Sequence, residues 1–97
     1  MNQTYNIDTW IKVLETLKYH IGKELSLMGS DVNILHAHAV SYRQKIYIHF
    51  NYKNREVKNV FIQEYSPFSN LQLFKSEDFI KKNLQLFRNE TINQILK

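Results

Sequence analysis

The chain has no cysteine, one proline and two glycines. Without thiols there is neither a disulfide nor a thiolate zinc site, so the fold rests on its core, and the composition fits a reducing compartment. Gly22 and Gly29 cannot supply a glycine-rich phosphate loop. No GxSxG or HExxH occurs, which removes two common hydrolase and metalloprotease signatures. No apolar run approaches the ~20 residues that span a bilayer. MNQTYNIDTW lacks a basic segment leading into an apolar one, so no secretory signal is expected. These absences lead to the expectation of a cytoplasmic protein with no membrane partner.

What is present is enough for one core. Ninety-seven residues, 43% hydrophobic and 13% aromatic, make a single domain over 1–97 that folds without staples. The net charge of +4 favours acidic partners, nucleic acid among them, and serves solubility equally well. Asn, Gln, Lys and Ile are abundant, which reads as a coding bias more than a functional signal.

Asp8 is placed to cap a helix over TWIKVLETLKYHIGKELSLM. There Trp10, Leu14, Leu17, Ile21, Leu25 and Met28 recur every three or four residues, and Gly29 stands where a helix would end. Gly22 would cost this helix ~1 kcal/mol relative to alanine. VNILHAHAVSY, KIYIHFNY and VKNVFIQEY read as three strands, with Arg43-Gln44 and KNRE between them. SPFSN breaks the sheet, and LQLF at 71–74 is a candidate short fourth strand. Ser76 then caps a second helix with Glu77 and Asp78 in its first turn. Its buried stripe is Ile80, Leu84, Phe87, Thr91 and Ile95, and Asn89-Glu90-Thr91 divides off a short helix at Ile92 to Leu96. The expected fold is α+β: helix, three-stranded antiparallel sheet, helix, with both helices on one sheet face.

Alternation sorts the strand residues. Leu35, Ala37 and Ala39 share a face with Ile46, Ile48 and Phe50, while His36, His38 and Val40 lie opposite with Tyr47, His49 and Asn51. A two-residue turn at Arg43-Gln44 pairs Tyr42 with Lys45, Ala39 with Ile48 and His38 with His49. A loop longer by two residues keeps the faces and shifts the partners, whereas one longer by a single residue swaps the faces. The third strand is ambiguous, because Val60, Phe61 and Ile62 give apolar side chains to both faces.

Three chemistries fit the outer face. His36, His38 and His49 are candidate zinc ligands whose layout resembles that of carbonic anhydrases over those three residues. His36-Ala37-His38 also resembles the His-hydrophobic-His motif of relaxases. That family attacks DNA with a downstream helical tyrosine, whereas the only tyrosine expected in a helix is the upstream Tyr19, so the resemblance is not adopted. A His20–Glu24 pair one helical turn apart is a conceivable catalytic His–acid pair, though such a pair is more often a simple surface interaction. No cofactor is expected, with zinc as the alternative.

Nucleic-acid binding is the second chemistry. Tyr42 and Tyr47 offer stacking surfaces, and Arg43, Lys45, Lys53, Arg55 and Lys58 surround the turns to hold phosphates. The element order is similar to that of double-stranded RNA-binding domains. Their basic start to the last helix is here Ser76-Glu77-Asp78, so membership is not claimed. The third chemistry is a protein interface or homodimer anchored on Tyr42, Tyr47, Val60 and Ile62, in the register that pairs Tyr52 with Val57. The leading expectation is a non-enzymatic module that binds nucleic acid through Tyr42, Arg43, Lys45, Tyr47, His49, His38, His36 and Lys58. A protein-binding accessory or inhibitor using the same face is the alternative.

Overall fold

The first helix is half the length that its apolar spacing predicts. A computed structural model describes residues 5–26, 28–39, 44–65 and 71–96 of the chain. In it α1 runs only over Ile7–Thr16, capped by Asn6 and not Asp8: the Asn6 side chain accepts from the Thr9 N–H. Lys18 then takes a left-handed φ of 67° while its N–H bonds the Glu15 carbonyl, which closes the helix without the glycine that usually marks such a stop. The rest of the expected helix is extended. β1 is Tyr19–Ile21 and β2 is Leu25–Ser26, both antiparallel to β3, Val32–Ala39. Pairing with β3 buries Tyr19, whereas Leu25 and Met28, expected on the helix stripe, lie exposed. Gly22 donates its N–H to the His36 carbonyl at 2.8 Å, so it belongs to the sheet margin and not to a helix.

β3, β4 (Gln44–Asn51), β5 (Val57–Tyr65) and β6 (Leu71–Phe74) continue the sheet in the order β1-β3-β4-β5-β6, antiparallel throughout. The fourth strand expected at 71–74 is therefore present as β6. The β3–β4 register differs from the turn expected at Arg43-Gln44: His38 faces Lys45, His36 faces Tyr47 and Ile34 faces His49. The shift is even, so both faces keep their residues while every partner changes. Tyr42 and Arg43, like Val40, lie outside the described residues.

β5 corrects the second register. Phe50, not Tyr52, faces Val57, and a bulge between His49 and Phe50 leaves Lys58 as the extra residue. Ile62 thereby faces Ile46 and Val60 faces Ile48, both toward the core, while Phe61 faces Tyr47 on the other side.

One face of the sheet carries the core: Leu35, Ala37, Ile46, Ile48, Phe50 and Ile62 pack with Ile7, Trp10, Val13 and Leu14 of α1. The C-terminal segment forms α2 (Ser76–Lys82) and α3 (Leu84–Ile95), broken at Asn83 instead of Asn89 to Thr91. Lys75, not Ser76, occupies the N-cap position of α2. Rings join these helices to α1: Trp10 stacks on Phe79 at 5.6 Å and meets Phe87 edge-on at 4.8 Å. Phe87 is fully buried, whereas Ile95, expected in the same stripe, is 75% exposed. At the rim the Tyr19 hydroxyl donates to the buried Gln44 side chain, whose amide reaches Glu64 at 3.4 Å. This network satisfies polar groups that burial would otherwise penalise.

Candidate functional site

The helices leave the other face of the sheet uncovered. By register its rows read His20–His38–Lys45–Gln63–Leu73, then His36–Tyr47–Phe61, then Leu25–Ile34–His49–Asn59. All four histidines of the chain therefore share this face. Among the described residues the register sets no Asp or Glu there.

The rings form two adjoining groups. His36 lies parallel to Tyr47, 4.8 Å between centroids and 6° between planes. His49 meets Phe61 edge-on at 5.2 Å. Tyr47 and Phe61 are direct neighbours on β4 and β5, so the two groups adjoin at the centre of the sheet. A third set runs along the β1 side, with His38 at 5.1 Å from His20 and 6.1 Å from His36. Phe61 is 47% exposed, while Tyr47, His36 and His49 are half-buried and present only part of their rings.

Electrostatics follow from the same layout. Burial first, then His38 and Lys45, hold the His36 pKa below the ordinary imidazole value. Its Nε2 is buried without a hydrogen-bond partner, which suits a neutral ring acting as a flat surface. Lys45 is exposed between His38 and Gln63, and Lys58 projects from the bulge at the end of the same sheet. Lys53 and Arg55 are committed elsewhere. Lys53 pairs with Asp31 at 3.3 Å, and Arg55 pairs with Asp8 at 2.9 Å and Glu24 at 3.8 Å. Asp8 and Glu24 raise the Arg55 pKa, chiefly through the hydrogen bond that Arg55 donates to Asp8, and fix the guanidinium beside α1.

Of the expected residues, the structure brings together His36, His38, Lys45, Tyr47 and His49, with Lys58 beside them. It adds His20 and Phe61. His20 was hidden because its stretch reads as helix, although Tyr-His-Ile before a glycine is also a strand pattern. Phe61 was hidden by the unresolved third-strand register. The zinc trio is not gathered: His49 faces Ile34 instead of His38, and among the described residues no group of three His, Asp or Glu side chains is placed to hold a metal ion. The expected His20–Glu24 pair is also dissolved, since His20 faces His38 and Glu24 meets Arg55.

Comparison with protein-family profiles, with characterised proteins and with solved structures finds no match to this chain. Nor is any helix among the described residues long and apolar enough to cross a membrane. The face must be interpreted from its own chemistry.

Proposed function

We propose that this protein is a non-enzymatic binding module that holds single-stranded nucleic acid on the uncovered face of its sheet. The observation that carries the reading is the central aromatic group. His36 stacked on Tyr47 and Phe61 beside it offer π-surfaces on neighbouring strands, with Lys45 next to them and no acid in the rows. Unpaired bases stack on such rings whatever their sequence, and lysine and histidine meet the phosphates between them. A duplex hides its base faces and would lose the stacking term. The net charge of +4 adds a general attraction for polyanions.

The same face supports a protein interface less well. Leu25 and Leu73 are 63% and 74% exposed and would suit a partner protein. Yet Ile62 is in the core and Val60 turns toward it, which removes two of the four anchors that reading needs.

Fluorescence anisotropy with labelled single- and double-stranded DNA and RNA tests the proposal. Binding should favour single strands, weaken steeply with salt and fall on Tyr47→Ala. No binding even at low salt would eliminate it. A self-associating or partner-captured protein indifferent to nucleic acid would favour the interface instead.

A further inference from the structure

The uncovered face owes most of its potential positive charge to imidazole. Among the described residues its permanent cations are Lys45 within the rows and Lys58 on the bulge, whereas His20 from β1, His36 and His38 from β3 and His49 from β4 all face the same way. β2, β5 and β6 contribute only apolar or amide side chains to these three rows. Tyr47 is a further titratable group within them, and Tyr65 holds the next β5 register position on this face, opposite Leu71. Imidazole changes charge near pH 6.5, within the range cells use. We propose that the nucleic-acid grip of this face is proton-gated: weak above neutral pH, tightening as His20 and His38, with His49, gain protons. This rests on the reading of the face as a nucleic-acid surface.

The geometry explains why proton and phosphate would act together. His38 stands 5.1 Å from His20, 6.1 Å from His36 and directly across from Lys45. Charging neighbours at that spacing without a counter-ion is unfavourable, since like charges a few ångströms apart repel. A phosphate lying over His20, His38 and Lys45 removes the penalty and gains a charge-assisted hydrogen bond from each. Proton uptake therefore strengthens phosphate binding, and phosphate binding draws in protons by the same factor. His36 has a different part. Burial and its positive neighbours favour its neutral form, and its ring lies flat on Tyr47, so it serves the bases and not the phosphates. No acidic side chain in the rows competes for the protonated rings.

The test is anisotropy with a labelled oligo-dT at fixed ionic strength, at pH 7.5 and pH 5.5. The intact protein should bind on the order of tenfold tighter at pH 5.5 and show a steeper salt slope there, because each newly paired phosphate releases ~0.7 counterion. His20→Gln combined with His38→Gln should remove most of that difference. Both side chains are exposed, and circular dichroism at each pH follows the fold. Equal affinity at the two pH values overturns the gate and leaves the nucleic-acid reading standing. A double variant that keeps the full pH effect also overturns it, since the charge would then come from elsewhere. Absence of binding at both pH values overturns the nucleic-acid reading itself, and the gate with it.

Discussion

The two faces of one sheet share strands and differ in almost everything else. Along β3, Leu35 and Ala37 are buried against the helices, and the residues between and beyond them, His36 and His38, face outward. Along β4, Ile46, Ile48 and Phe50 are fully buried while Lys45, Tyr47 and His49 take the other side. The inner face is mainly aliphatic with Phe50 among its residues, closed, and tied to α1, α2 and α3 by a ring cluster. The outer face is aromatic, imidazole-rich and uncovered. A small protein needs only one such core, so the alternate positions of the same strands are free to carry chemistry.

The largest expected effect separates the faces by stability. Trp10→Ala empties the joint between α1, Phe79 and Phe87 and should cost about 3–5 kcal/mol, much of what a domain this size possesses. Tyr47→Ala should cost about 1 kcal/mol or less. Urea denaturation of both variants checks the contrast, and a Tyr47 variant as unstable as the Trp10 variant would break it.

The next effect is on binding. Loss of the Tyr47 ring should lower single-strand affinity about tenfold or more, since one base–aromatic stack contributes about 1–3 kcal/mol. Lys45→Ala should cost less, a few-fold, and reduce the salt slope by ~0.7. Titrations at several salt concentrations distinguish the two losses.

The smallest effect sharpens the comparison through pH. The folded His36 has a pKa below its unfolded value, so between the two the unfolded chain binds more protons. Its stabilising contribution is therefore complete above about pH 6.5 and declines as pH falls through that value. Melting temperature should drop from pH 7.5 to pH 5.5, and His36→Phe, which keeps a ring over Tyr47, should reduce the drop. Saturating oligo-dT should also reduce it, because the phosphates favour the protonated face. Equal drops with and without oligonucleotide would separate the histidines from binding.

Much of this contrast was legible in the residues. Strict alternation over Leu35 to Ala39 and Ile46 to Phe50 defined both faces. Because the β3–β4 register error was even, the faces of those two strands survived wrong partners, whereas the odd error on β5 turned Val60 and Ile62 over. The helix prediction failed where two periodicities coincide. Leu17, Ile21, Leu25 and Met28 satisfy a helical stripe, yet Tyr19 and Ile21 also alternate, and only the free edge of β3 decides for strand. That edge is a tertiary fact, and a local pattern does not contain it. The stop at Lys18 was hidden as well, since a left-handed lysine leaves no sequence mark. On β5, continuous apolar residues from Val60 to Ile62 concealed the bulge that sends Ile62 inward and Phe61 outward. The candidate site was accordingly read with His36, His38, Lys45, Tyr47 and His49 in place, and without His20 or Phe61.

The most direct test of the central claim watches side chains, because each strand's backbone belongs to both faces. Aromatic proton–carbon NMR spectra recorded while titrating a short single-stranded oligonucleotide report each ring separately. The account predicts shifts at Tyr47, Phe61, His20, His36, His38 and His49, with Trp10, Phe50 and Phe87 unmoved. Shifts confined to the helical layer, or none at oligonucleotide concentrations well above that of the protein, would contradict it.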